Sequence, residues 1–443
     1  MKRITVNFAR ENGKPVYPLH GVNSGPMTKV FTYDARPQFL EAGFPFARLH
    51  DVEYPYGSGE FVDIPCIFKN FDADENDPAS YNFGLTDEYI RRIVEVGCAP
   101  LFRLGISIEH APVKRYVYPP RDYAKWARIC EHIIRHYNEG WANGFHWGIA
   151  YWEIWNESDG GNSKMWGGTP EEFYELYAVS ARHLKACFPQ LKIGGCGFTT
   201  AKNAFIEGFF AYISSRKEPV PLDFYSWHRY FDSIDTLLRS AADADRLLNT
   251  YGYGEAESIL DEWNYMRDWN DQADSYRAMK NHIGAAHCGA VLCALQQQSN
   301  VRLATYFEAD VVKEFCGLFD VREMSISRKC ATLRPLKAFY AFKAFNRLYR
   351  LGRAVDAVCS GSGLYACAAT GEGGCALLAA NYCSEDTEAA IELCGWHTGN
   401  AEVRLIDEDH TFDRLLTLKG GECMTLSVPL KNHSVVYIGP EIT

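Results

Sequence analysis

The sequence predicts an α/β protein, a (β/α)8 TIM barrel followed by a C-terminal β-sandwich. Three observations lead there. Eight apolar runs with strand character alternate with amphipathic helical stretches over about 330 residues, within the usual spread for that barrel. Beyond Tyr349 the long helical patterns stop and short alternating runs take over, separated by turns such as Gly371-Glu372-Gly373-Gly374 and Lys419-Gly420-Gly421. No glycine-rich phosphate loop follows the first strand, which sets aside an open doubly wound sheet. The chain, at 443 residues, also exceeds the size at which one core usually stops growing.

The amino terminus, Met1-Lys2-Arg3-Ile4-Thr5-Val6-Asn7-Phe8, reads as a strand and not as a signal peptide. We assign residues 1–15 to a strand that joins the β-sandwich, 16–350 to the barrel and 351–443 to the β-sandwich. The barrel strands are expected at 19–23, 44–51, 99–107, 151–157, 191–197, 223–230, 258–264 and 304–310. Thr86 is expected to cap a helix over 86–96, with Asp87 and Glu88 in its first turn. Trp126, Ile129, Cys130 and Ile133 give helical spacing to 121–138. Thr169-Pro170-Glu171-Glu172 supplies a cap, a first-turn proline and early acids to the helix that follows, through 188. Further helices are expected at 233–250, 272–298 and 333–349. Long insertions at 53–80 and 311–331 leave the carboxyl ends of strands, where such barrels build their sites.

Composition excludes several classes. Net charge is −11 and no basic run occurs, which argues against nucleic acid. No stretch of about 18 apolar residues exists, so no membrane span is expected. The cysteines number 15 and are scattered, which predicts reduced thiols and a cytoplasmic location. Cys359, Cys367, Cys375 and Cys383 recur every eight residues, too far apart for a metal site; small side chains buried on packed strands are expected. Neither a His-Glu-x-x-His metal pattern nor a Gly-x-Ser-x-Gly elbow is present.

The chemistry concentrates in two segments, Tyr151-Trp152-Glu153-Ile154-Trp155-Asn156-Glu157 and Ser258-Ile259-Leu260-Asp261-Glu262-Trp263-Asn264. Each is a strand-like run leading into a carboxylate. Two carboxylates at the ends of different strands are what glycosidic-bond cleavage requires: one protonates the leaving oxygen, the other attacks or stabilises the anomeric carbon. The acid, Glu157, needs a raised pKa and the nucleophile, Glu262, must be ionised. Arg48, on a strand where an unpaired arginine would be costly, is a candidate partner for Glu262. Alternation puts His228 and Tyr230 on one side of their strand. Glu109, His110 and Trp269 lie in loops that could border the site or simply face solvent.

These residues resemble clan A glycoside hydrolases, and within them family 39, which holds β-xylosidases and α-L-iduronidases. The likeness is carried by Ala47-Arg48-Leu49-His50, Tyr81-Asn82-Phe83, Trp155-Asn156-Glu157, strand 223–230 and Ile259 to Asn264. It implies a retaining double displacement with Glu157 as acid/base and Glu262 as nucleophile. Asn156 would bind the sugar 2-hydroxyl, His50 and His228 would line the sugar site, and Tyr230 and Arg48 would position Glu262. No metal or organic cofactor is implied. The expected function is exo-cleavage of a neutral glycoside, best β-xylosidase, with arabinosidase, galactosidase or glucosidase as alternatives and a non-catalytic sugar-binding barrel as the rival class. A small glycoside or oligosaccharide is the expected partner, and the resemblance leans toward a homo-oligomer. Three departures stand out. Ser158 replaces a usual proline, Phe102-Arg103-Leu104-Gly105-Ile106-Ser107 lacks the acidic pattern of the xylosidases, and Tyr230 stands where iduronidases carry lysine. Arg229 or Arg322 could compensate for that lysine.

Overall fold

The structure, a computed structural model, describes residues 2–28, 33–54, 59–109, 111–160, 165–311, 313–323, 332–397 and 399–442. Eight strands close into a barrel: β1 (Gly21–Asn23), β2 (Phe46–Arg48), β3 (Ala99–Leu104), β4 (Tyr151–Ile154), β5 (Lys192–Phe198), β6 (Phe224–Phe231), β7 (Glu257–Tyr265) and β8 (Val301–Tyr306). Each lies parallel to the next, and β8 returns to β1 through Thr305 opposite Gly21. All eight expected strands are found. The eighth begins three residues earlier than expected, so 307–310 belong to the loop after it.

Helices follow the strands in turn: α1 (Arg36–Ala42), α2 (Gly84–Glu95), α3 (Tyr123–Glu139), α4 (Pro170–Cys187), α5 (Ala204–Ser214), α6 (Ile234–Thr250), α7 (Gln272–Met279), α8 (His282–Gln298) and α9 (Lys337–Leu351). The α4 cap is as its sequence predicts: Thr169 accepts from the Glu172 N–H, and Glu172 reaches back to the Thr169 N–H. Thr86 is not a cap. The α2 helix starts at Gly84, and the Thr86 hydroxyl donates to the Phe61 carbonyl. The expected helix 272–298 is two helices, because Asn281 caps α8 through the Ile283 N–H. The expected helix 333–349 starts only at Lys337. Pro335 holds the preceding chain extended, and Thr332–Pro335 pairs with Phe319–Glu323 as a hairpin. The α1 and α5 helices were not anticipated; both are short, and α5 is nearly all apolar.

The carboxy-terminal region is the expected β domain, its strands joined into one nine-stranded sheet that curls around its own core. Its order is Thr411–Leu418, Ala401–Ile406, Ser434–Gly439, Gly374–Asn381, Leu364–Gly371, Arg353–Ser360, Lys2–Pro15, Thr387–Cys394, Cys423–Leu430. The amino-terminal strand is interior, antiparallel to Arg353–Ser360 and parallel to Thr387–Cys394. Ile4, Val6, Phe8, Leu377, Ile391, Val403 and Val436 fill a core on its inner face. Its other side packs on α8 and α9. The α8 helix is apolar all round because it lies between sheet and barrel, and Gly289 lets it approach: a Cβ there would stand 3.0 Å from Val435. Cys367 and Cys375 are buried and Cys359 half-buried, but Cys383 is exposed. Cys394 and Cys423, directly opposite on paired strands, are joined as a disulfide, which corrects the expectation that every thiol is reduced. No helix among the described residues is long and apolar enough to cross a membrane.

Candidate active site

Inside the barrel, Leu101, Phe224, Ile259 and Leu303 form a small apolar plug. Charged and polar side chains lie beyond it toward the carboxyl ends. A single irregularity builds much of this layer. The β6–β7 register runs Trp227 opposite Leu260 and then His228 opposite Glu262, so Asp261 is an extra residue. This bulge turns both Asp261 and Glu262 to the axis, where strict alternation would send one outward. The bulged carbonyl accepts from Asn23 Nδ2 (2.8 Å) and Thr305 Oγ1 (2.6 Å).

On the opposite wall, β4 ends at Ile154 and the chain bends sharply. Trp155 (φ +74°) and Glu157 (φ +47°) occupy the left-handed region, which bulky residues rarely adopt and which recurs at functional sites. The Glu157 N–H donates to the Gly197 carbonyl (2.9 Å), and the indole N–H of Trp155 donates to the Met165 carbonyl (3.0 Å). Gly105 accommodates the bend; a Cβ on it would lie 2.8 Å from the Trp155 Cα.

Arg48 is fully buried and binds four neighbours. Its Nε donates to Glu153 Oε2 (2.7 Å), Nη1 to Glu262 Oε1 (2.9 Å) and Asn23 Oδ1 (3.2 Å), and Nη2 to Asn156 Oδ1 (2.7 Å). Tyr230 donates to the other Glu262 oxygen (2.8 Å). His228 Nδ1 stands 2.9 Å from Glu157 Oε1 and 3.3 Å from Glu262 Oε2. One oxygen of each glutamate and a ring nitrogen of His228 all lie within 4.8 Å of one another. A divalent cation could use such spacing, but Arg48 and Tyr230 already occupy both oxygens of Glu262. His50 is buried 3.4 Å from Glu262 Oε1 and 3.3 Å from Asp51 Oδ1. The structure therefore brings Arg48, His50, Asn156, Glu157, His228, Tyr230 and Glu262 into one cluster.

The charge states follow from burial and neighbours. Burial opposes a cation at His228, but Glu262 and Asp261 outweigh it and hold the imidazole protonated well above its usual range. His50 moves the opposite way: burial, reinforced by Arg48 and Arg103, keeps it neutral. Burial pushes Glu262 up to about 7 against the pull of His228 and Arg48, with Glu157 and Asp261 adding to the rise. The donors expected beside Glu262 are present in Arg48 and Tyr230, but more carboxylates than cations share the layer.

Of the loop candidates, Trp269 is 53% exposed and packs edge-on against Tyr230, with ring centroids 5.3 Å apart, so it forms a rim. Glu109 instead organises its own loop, accepting from the Arg115 and Tyr116 N–H groups. Arg229 alternates to the opposite side of β6 from His228 and Tyr230. His110 and the Arg322 side chain lie outside the described residues. Four contributors escaped the sequence reading. Gly197 (φ +52°) leaves room that a Cβ would fill at 2.9 Å from Arg48 Nη2 and 3.1 Å from His228 Nε2. Its signal was the run Gly194-Gly195-Cys196-Gly197 inside a strand. Glu153 and Asp261 sit beneath Arg48. Glu308, beyond β8, accepts from Ser24 Oγ (3.1 Å), and burial, reinforced by Asp310, raises its pKa well above the usual carboxylate range. A separate cavity of about 290 Å³, lined by Phe71, Ile106, Tyr118, Trp126 and Trp155, includes neither Glu157 nor Glu262.

A (β/α)8 barrel with two facing carboxylates at the carboxyl ends of β4 and β7 defines a class, the barrels built for glycosidic chemistry. The model of Glycosyl hydrolases family 39 matches residues 41–260, close to half of the chain. It is 28% identical over 245 residues to a β-xylosidase of Caldicellulosiruptor saccharolyticus, covering 52% of this chain and 46% of that protein. With a β-xylosidase of Geobacillus stearothermophilus it shares 27% over 191 residues, 40% of this chain and 36% of the other. The match thus spans less than half the length of these relatives. Among solved structures, a glucosidase from Croceicoccus marinus superposes with a TM-score of 0.78 at 23% identity, covering 99% of this chain and 98% of the other. A family 39 β-xylosidase from Caulobacter crescentus gives 0.69 at 16% identity, covering 98% of each chain. At these identities the structural likeness concerns the fold.

Proposed function

We propose that the chain is a retaining exo-glycosidase acting on a neutral glycoside, with β-xylosides as the first substrate class. The observation that carries this reading is the grouping of Glu157, His228 and Glu262 within 4.8 Å. Retaining enzymes hold their carboxyl groups about 5–5.5 Å apart, too close for a water to attack from the opposite face as in inversion. In the first step Glu262 attacks the anomeric carbon while Glu157 gives its proton to the leaving oxygen. In the second, Glu157 takes a proton from water as that water displaces Glu262 from the sugar. Tyr230 and Arg48 aim the two oxygens of Glu262, one toward carbon and one held back. Asn156 Nδ2 is buried without a hydrogen-bond partner among the described residues, and its Oδ1 is pinned by Arg48, so the N–H can bind the sugar 2-hydroxyl. His50, held neutral, lines the same wall with its Nε2 3.3 Å from Asp51 and 3.4 Å from Glu262.

Burial pushes up the pKa values of Asp51 and Glu308 near this cluster, with Lys313 opposing both. A uronate would add one more negative charge there, so a neutral sugar fits better. A glucoside is the second reading, since the glucosidase likeness covers almost the whole chain, though that likeness carries fold alone. A panel of aryl β-xylosides, β-glucosides, β-galactosides and α-L-arabinosides, with product stereochemistry read by NMR, decides. Release with retention supports the proposal. Binding without release of the aglycone supports a sugar-binding barrel, and an inverted product contradicts the assigned roles.

A further inference from the structure

Beneath Glu262 lie two further carboxyl groups, Glu153 on β4 and Asp261 on the β7 bulge, both fully buried. Arg48 Nε stands 2.7 Å from Glu153 Oε2 and 3.0 Å from Asp261 Oδ2, so both acids converge on one N–H. That N–H donates to Glu153. Ser226 Oγ also donates to Glu153 Oε1 (2.5 Å), which leaves Glu153 with a donor on each oxygen. Asp261 is less well supplied: its nearest described donors are the Arg48 Nε, shared with Glu153 and better aligned to it, and His228 Nε2 at 3.7 Å. A buried carboxylate short of donors is costly. A proton on Glu153, directed at Asp261, supplies the hydrogen bond that one shared N–H cannot give to both acids.

The charges point the same way. Facing this pair are Arg48 from β2, Glu157 beyond β4, the neutral Cys196 thiol from β5, His228 from β6 and Glu262 from β7. Asn23 of β1 and Thr305 of β8 bring no charge, and Arg103 of β3 turns to Asp63 and Ser107. Four carboxyl groups thus meet two cations, Arg48 and His228. Two protons make the layer neutral. One belongs on Glu157, where the proposed reaction uses it.

We propose that the other resides on Glu153: a neutral acid hydrogen-bonded to ionised Asp261, the pair acting as a positioning unit that sets, through Arg48 and His228, how Glu262 ionises. Burial and the nearness of Asp261 favour the protonated form of Glu153, while Arg48 and His228 overcome burial at Asp261 and favour its ionised form. Glu153 touches neither substrate nor the reacting atoms, and its effect passes through Arg48. The part of this inference that concerns catalysis rests on the proposed glycosidase activity; the protonation state does not.

The test has two readouts on the full chain. The first needs no substrate: infrared difference spectra of wild type minus Glu153→Gln at about pH 6. A protonated-acid carbonyl band belonging to Glu153 is expected; a carboxylate band in its place overturns the proposal. If Glu153→Gln does not fold, Asp261→Asn serves instead. It removes both the acceptor and the charge that favour the proton on Glu153, so the Glu153 acid band should move or fade, and an unmoved spectrum is contrary. The second readout is the pH profile of kcat/KM. Glutamine mimics a neutral acid, so Glu153→Gln should leave the acid limb within about half a pH unit of wild type. Asp261→Asn removes a charge and should lower that limb by about one unit. A limb moved as far by Glu153→Gln as by Asp261→Asn shows that Glu153 is ionised and ends the proposal.

Discussion

Gly197 and Glu262 show how local physics sets the site at the scale of single residues. A methyl group on Gly197 would come within 2.9 Å of Arg48 and 3.1 Å of His228, inside van der Waals contact, on a backbone at φ +52° that disfavours any side chain. Gly197→Ala should therefore cost about 1–3 kcal/mol in denaturant unfolding and lower kcat/KM by more than it raises KM, because it displaces aiming groups. In the proposed mechanism Glu262 attacks in its ionised form, and burial pushes its pKa up to about 7, so the acid limb of kcat/KM should fall above the ordinary carboxylate range. Glu157→Gln should reduce turnover by about 10²–10⁴-fold, the usual contribution of a general acid. An activated aryl glycoside, which needs little acid assistance, should recover most of that loss in the formation of the glycosyl-enzyme. Glu157, Glu262 and Asn156 were legible in sequence because carboxylates and amides rarely close an apolar strand without purpose. Gly197, Glu153 and Asp261 were not. A glycine's role depends on what approaches it, and the inward turn of Asp261 depends on a bulge that no periodicity reveals.

Among the elements, legibility followed the strength of the local signal. The α4 helix announced itself because cap, proline and reciprocal glutamate coincide, and Thr169→Ala should cost about 1 kcal/mol in thermal or denaturant unfolding with no change in catalysis. Thr86 carried a cap's chemistry but spends its hydroxyl on Phe61, a tertiary partner invisible to spacing. The α7–α8 break, at Lys280-Asn281-His282, carries neither glycine nor proline to mark it. What divides the helices is Asn281, together with the tight return at Gly284, where a Cβ would collide with the Met279 carbonyl. The β7 bulge is the element with most effect on chemistry: it alone allows two consecutive acids to face the axis.

For the molecule as a whole, barrel closure was legible from eight strands with helices between them, whereas the carboxy-terminal architecture was only half so. Short alternating runs specify strands with one buried face but do not say whether the sheet is continuous. Here the strand Lys2–Pro15 makes it continuous by pairing on both sides. Deleting residues 2–15 should split the sheet, open its core and abolish cooperative unfolding at the wild-type temperature, as read by calorimetry. Buried acids also shape stability against pH. Glu153 is raised from 4.5 to about 8, so its contribution is fully present below 4.5 and is lost as pH rises through about 8. Replacing it with glutamine should flatten the decline of stability across that window.

The central claim is that Glu262 forms a covalent bond to the sugar while Glu157 faces it across the same anomeric carbon. The most direct measurement is mass spectrometry after incubation with a 2-deoxy-2-fluoro glycoside bearing a good leaving group, which slows turnover of the intermediate. A single added sugar on the peptide carrying Glu262 is the predicted result. Product release with inverted configuration and no adduct, or an adduct on any other residue, would contradict it.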